Sequence, residues 1–206
     1  MDRLIEGYRS FRERQWPERR ATYQTLAREG QSPEALVIAC SDSRVEPAVI
    51  FGAAPGELFI IRNVANLVPP YAPDGASHAT SAALEFGVRV LQVKHLVVMG
   101  HAMCGGIKAL LNGLPYPVGE FLDPWMRNAT DAMERALADA TADPQTACEL
   151  EAVKLSLTNL LTFPWIRERV FAEQLRLHGA TFDIRSGELS VLQPSGRFTP
   201  VEAIAG

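Results

Sequence analysis

Apolar and polar positions alternate between two regimes along this chain. Three short apolar runs, Ala35-Leu36-Val37-Ile38-Ala39-Cys40, Glu57-Leu58-Phe59-Ile60-Ile61-Arg62 and His95-Leu96-Val97-Val98-Met99, show no helical stripe and read as buried parallel strands. Between and after them the spacing becomes helical. From Ala76 or Ser77 to about Leu91, small residues line one side and Leu84, Val88 and Leu91 another. Gly105-Gly106-Ile107-Lys108 opens a second helix directly after the third strand, whereas the proline-rich loop from Asn66 to Gly75 cannot be helical. Pro124 through Ala140, Cys148 to Leu161 and Pro164 to His178 read as further helices, with Gly179 as the stop. Thr181-Phe182-Asp183-Ile184 and Glu188-Leu189-Ser190-Val191-Leu192 then flank a hairpin turn at Arg185-Ser186-Gly187.

At the start of the chain, Leu4, Ile5, Tyr8 and Phe11, then Tyr23 and Leu26, recur at helical spacing, and Pro17 divides them into two short amphipathic helices. These are expected to pack on the body or on a neighbouring subunit. Strand, loop and helix in repetition predict an α/β fold: a mostly parallel central β-sheet flanked by helices, with an N-terminal helical arm and a C-terminal antiparallel edge. We expect one domain over residues 1–206, with residues 1–30 as the arm and 31–206 as the body.

Composition narrows the function. The 206 residues carry a net charge of −4, so no basic surplus exists to neutralise nucleic-acid phosphates. Arginines crowd the first 30 residues, but Glu6, Glu13, Glu18 and Glu29 interleave with them as on a solvated helix face. No apolar stretch approaches the ~18 residues of a membrane helix, and the first residues lack the apolar core of a signal peptide. Three cysteines form an odd, sparse set, unlike a secreted disulfide framework. The expectation is a cytoplasmic protein with reduced thiols.

Two of those thiols sit where chemistry belongs. Cys40 ends the first strand, and His101-x-x-Cys104 leaves the third; in open α/β sheets ligands bind outside the carboxyl ends of strands. Two thiolates and one imidazole make a three-ligand zinc set with a free fourth position, the pattern of a catalytic site. Two structural cysteines beside an unrelated histidine would show the same spacing. A cysteine-phosphatase loop fits poorly, since Arg44 is only four positions after Cys40 and Asp42 would repel an anion. A redox Cys-x-x-Cys is absent. Given zinc, Asp42 can accept a hydrogen bond from zinc-bound water while Arg44 grips and ionises it. If that grip breaks, Asp42 could close the site as a fourth ligand. Gly105 and Gly106 let backbone amides approach Cys104. Cys148, His78, His95 and His178 fall in no ligand pattern.

Together, Cys40-Ser41-Asp42-Ser43-Arg44-Val45, Arg62-Asn63-Val64-Ala65-Asn66 and Gly100-His101-x-x-Cys104-Gly105-Gly106 resemble the β-class carbonic anhydrases. The resemblance runs from about Gln31 to Leu111 and continues more loosely to Ile184. It implies zinc held by Cys40, His101 and Cys104, with Asp42 and Arg44 as the catalytic dyad orienting zinc-bound hydroxide toward carbon dioxide. It also implies a lyase that interconverts carbon dioxide and bicarbonate, built as a homodimer or larger with sites near the interface. Finer matches resemble the plant-like branch. Gln31 matches a glutamine that reaches substrate across the dimer interface, and Phe59 and Val64 match the apolar carbon dioxide pocket. Phe86 stands where that branch commonly has tyrosine, which keeps the apolar wall without the hydroxyl. At the three positions of a bicarbonate regulatory site found in some bacterial members stand Val37, Arg62 and Phe182, so no bicarbonate-induced switch is expected. Two other functions stay compatible: hydrolysis of carbon disulfide or carbonyl sulfide on the same scaffold, and zinc binding without catalysis.

Overall fold

The computed structural model describes residues 1–113 and 119–202. The strands are β1 (Ala35–Cys40), β2 (Leu58–Asn63), β3 (His95–His101), β4 (Arg176–Asp183), β5 (Glu188–Leu192) and β6 (Phe198–Pro200). Among the described residues they form one sheet in the order β2-β1-β3-β4-β5-β6. Pairings from β2 through β4 are parallel, while β4-β5 and β5-β6 are antiparallel. The helices are α1 (Asp2–Ser10), α2 (Trp16–Glu29), α3 (Pro47–Ile50), α4 (Ala79–Glu85), α5 (Gly105–Asn112), α6 (Leu122–Met126), α7 (Thr130–Ala138), α8 (Pro144–Leu160) and α9 (Pro164–Phe171). None of them is long and apolar enough to cross a membrane.

The arm differs from its expected form. Instead of breaking at Pro17, the chain stays helical from Asp2 to Glu29 through a π-helical stretch at Phe11–Gln15. The Trp16 N–H bonds back to the Phe11 carbonyl, and Pro17 falls in the first turn of α2, where a missing donor costs least. Phe11, Trp16 and Tyr23 pack in series along it, with the Arg12 guanidinium 4.9 Å from the Trp16 ring. Leu4 is 72% and Tyr8 61% exposed, so among the described residues little covers this apolar side of α1.

Two glycines set how α8 meets the sheet. The helix starts cleanly, with the Asp143 carboxylate accepting the Thr146 N–H at 2.9 Å and Pro144 in the first turn. Its stripe Glu149, Val153, Leu157 then descends on β3 and β4. A methyl added to Gly100 would lie 2.7 Å from Val153 Cγ2, and one on Gly179 3.0 Å from Leu157 Cδ1. Gly179 is therefore a strand position flattened to admit a helix, not the helix stop expected of it. The helix expected to reach His178 ends at Phe171, and Glu173 (φ 57°) turns the chain into β4. Leu36, Ile38, Leu96 and Val98 form the core beneath α8 and α9 with Val153, Leu160, Phe163 and Ile166.

Candidate metal centre

The parallel register brings the carboxyl ends of β1 and β3 side by side, Ala39 opposite Met99. Cys40 and His101 thus end neighbouring strands, and Cys104 follows after one tight turn in which Met103 adopts φ 57°. The two sulfurs and an imidazole nitrogen all lie within 4.8 Å of one another, and all three residues are buried. A tetrahedral ion with bonds of about 2.0–2.3 Å fits such a cluster without large movement. All three cysteines are free.

One atom tests whether the cluster suits a metal. His101 Nδ1 donates to the Ala102 carbonyl at 2.9 Å, which leaves Nε2 as a bare lone pair. That Nε2 is buried with no hydrogen-bond partner. A buried polar atom left unpaired costs about 1–3 kcal/mol, a cost a coordinate bond would remove. The thiols are already divided in character. The close approach of Cys104, and to a lesser degree His101, holds the Cys40 thiol far below its ordinary value, at about 4, in spite of burial. Cys104 is driven far up by facing Cys40 and by burial. Burial pushes His101 down, yet the facing Cys40 thiolate raises it overall. These residues fit a thiolate-rich metal site.

Surrounding groups hold the cluster in place. The Ala65 N–H points at Cys40 Sγ, 3.4 Å away, from a left-handed turn in which Ala65 and Asn66 both have positive φ. Asn63 fixes that turn with bonds to both the carbonyl and the N–H of Leu67, and Trp125 Nε1 donates to the Val64 carbonyl at 2.8 Å. Arg62 donates to the carbonyls of Cys40, Asp42 and Val45 and pairs with Glu46 at 2.6 Å. It is the scaffold of the Cys40–Val45 loop. From α8, Glu149 Oε1 accepts the Cys104 N–H at 2.8 Å; burial pushes its carboxyl up.

Asp42 and Arg44 meet as a two-point pair: Nε to Oδ1 at 2.9 Å and Nη2 to Oδ2 at 2.7 Å, with the Arg44 N–H also on Oδ1. Arg44 Nη2 reaches on to the Met103 carbonyl at 3.0 Å, tying this loop to the turn between His101 and Cys104. The guanidinium holds the Asp42 carboxyl well below the usual carboxylate range. With Arg44 half-exposed to solvent, the pair adds little stability, so its consequence is orientation.

The family model for carbonic anhydrase matches residues 35–189, three quarters of the chain. The chain belongs to the carbonic anhydrase family. Its relatives place it in the β class. Beta carbonic anhydrase 3 of Arabidopsis thaliana is 38% identical over all of this chain and 81% of its own length. A carbonic anhydrase of Synechococcus elongatus is 37% identical over 92% of this chain and 70% of its own. The solved β-carbonic anhydrase CcaA superposes with a TM-score of 0.91 at 32% identity, covering 98% of this chain and 92% of that one. A tetrameric β-carbonic anhydrase of Sordaria macrospora gives 0.79 at 30% identity, covering 96% and 98%. The expected fold is that of the β-carbonic anhydrases.

Within one chain the structure gathers Cys40, Asp42, Arg44, Val64, His101 and Cys104, but not the other three residues singled out for the carbonic anhydrase pocket. Phe59 stands opposite Leu36, four positions before the level of Cys40, or about 13 Å along the strands. It stacks on Phe86 there, ring centres 5.8 Å apart. Gln31 precedes β1, whose start at Ala35 is about 17 Å along the strand from Cys40. Trp125 and Glu149 were not singled out by sequence reasoning: each reaches the site from 45 or more positions away, with no local motif to announce it.

Proposed function

We propose that this carbonic anhydrase catalyses the zinc-dependent, reversible hydration of carbon dioxide to bicarbonate and a proton, with Cys40, His101 and Cys104 holding the zinc. The observation that carries this is the buried, unpartnered His101 Nε2 facing two thiol sulfurs, beside a carboxylate already clamped by Arg44. When bound, zinc would supply Lewis acidity, which brings the pKa of a coordinated water to about 7 in carbonic anhydrases that hold zinc by three histidines; two thiolates would leave it higher by placing more negative charge on the metal.

The protein's own groups do the rest. Asp42, kept anionic by Arg44, accepts a hydrogen bond from the attacking water and aims its lone pair. Val64 contributes apolar wall. A cavity of about 570 Å³, lined by Ile61, Pro69, Phe121 and Trp125 among others, adjoins Val64 on the side away from the ligands. Measured by stopped flow on zinc-quantified protein, carbon dioxide hydration should appear with one zinc per chain and climb from neutral to alkaline pH. Stoichiometric zinc without carbon dioxide hydration, or faster turnover of carbon disulfide or carbonyl sulfide, would overturn the substrate assignment.

The plant-like reading brings Gln31 to the pocket from a second chain, and we infer that Phe59 and Phe86, remote from Cys40 within one chain, enter it the same way. The bare apolar side of α1, with Leu4 and Tyr8, suits a clasp on that partner. The working unit is thus a homodimer or larger, each chain acting as one α/β domain in a reducing, cytoplasmic setting that keeps the thiols free. Chain mixing tests this. Cys40→Ser chains and Gln31→Ala chains, unfolded and refolded together, should exceed the summed activity of the two separate preparations, because one site per mixed dimer is whole. Strict additivity would place Gln31 outside the site.

A further inference from the structure

We propose that Glu149 is a positioning residue for the metal centre: its buried carboxylate clamps the Cys104 amide and so fixes the direction in which that sulfur faces the ion. The inference rests on the zinc reading above. Among the described residues Glu149 is the one carboxylate in the buried set, only 5% exposed. A carboxylate is seldom taken out of water without a specific partner. Here Oε1 receives the Cys104 N–H at 2.8 Å and Gln145 Nε2 at 3.0 Å, so Gln145, one turn earlier on α8, steadies the group that steadies Cys104.

The ligand loop needs such a prop. Cys104 precedes α5 in extended conformation (φ −66°, ψ 120°), and Met103 before it is left-handed. The amide of Cys104 therefore belongs to no helix or strand ladder. The anchor on the other side is firm, because Val153 and Leu157, one and two turns beyond Glu149, are pressed against Gly100 and Gly179. Gly100 adjoins the ligand His101 on β3. The same helix thus references both the strand that presents His101 and the loop that presents Cys104. Outer-sphere bonds of this kind hold ligands in the geometry the metal requires.

Two substitutions separate reach from charge. Glu149→Gln keeps the carbonyl oxygen at full reach and removes the charge; Glu149→Asp keeps the charge and withdraws the oxygen by one methylene. Zinc affinity, measured by competition with a chromophoric chelator, should stay within a few-fold of wild type in E149Q and weaken about 10- to 100-fold in E149D. Thermal midpoints of the zinc-free chains separate a general loss of stability from a loss at the site. Unchanged affinity in E149D, or an equal loss in E149Q, overturns the clamp. E149Q alone keeps the idea at risk, since zinc lost from a folded E149Q chain is enough to reject it. A wild-type chain that binds no zinc would instead reject the metal centre itself.

Discussion

Cys40→Ser is expected to yield a folded chain that holds no stoichiometric zinc and hydrates carbon dioxide at background rate. Serine matches cysteine closely in size, so the buried end of β1 keeps its packing, and the Ala65 N–H keeps an acceptor. What disappears is one of the two thiol ligands, the one whose thiolate form the neighbouring Cys104 favours. A serine hydroxyl does not ionise in its place, and only one thiol and one imidazole are left to compete with water for the ion. Without the metal no group here makes water a nucleophile at neutral pH, so kcat/KM should fall by at least about a thousandfold. Zinc analysis and stopped-flow assays on the same preparation check both halves. A Cys40→Ser chain that kept one zinc and most of its activity would move the metal elsewhere.

The clustering of Cys40, His101 and Cys104 was legible in sequence because its parts are local and their contexts are strands. A short continuous apolar run such as Leu36-Val37-Ile38, with two β-branched residues, reads as a buried strand, and Cys40 at its end inherits a position from it. Two failures show where that logic stops. Around Pro164 to His178 the apolar residues permit a helix throughout, and nothing in Phe171-Ala172-Glu173-Gln174 marks its end, because the left-handed turn is carried by Glu173 (φ 57°) instead of a glycine. The period of two in Leu175, Leu177 and Gly179 is the true signal, hidden by helical neighbours. At Pro17 the local rule was sound, but a π-helical stretch absorbed the missing donor. The tertiary props, Arg62 under the Cys40–Val45 loop, Trp125 on Val64 and Glu149 on Cys104, arise from contacts across 17 to 61 positions. The first follows from the pairing of β2 with β1 and the other two from how α6 and α8 land on the sheet, which no local pattern encodes.

Arg44→Ala should leave zinc in place and still remove most of the activity, about 10²- to 10⁴-fold in kcat/KM if the dyad works as a positioned acceptor. No ligand is touched, and Arg62 still holds the Asp42 carbonyl at 2.7 Å, so the loop backbone stays where it is. Only the carboxylate is set free. Its pKa, held down by Arg44, would rise toward the ordinary carboxylate value. It would thus remain ionised at neutral and alkaline pH, and added base should restore nothing. A free anion beside the open coordination position has one strong alternative, to become the fourth ligand itself, as aspartate does in other zinc sites. That makes the double variant informative. If Asp42 closes the site once Arg44 is gone, Asp42→Asn added to Arg44→Ala should recover part of the activity, because the amide is the poorer ligand. If Asp42 serves only as an oriented acceptor, the double variant should be no better than Arg44→Ala. An Arg44→Ala chain within a few-fold of wild type would remove the dyad from the mechanism and leave the metal and its apolar approach to account for the reaction.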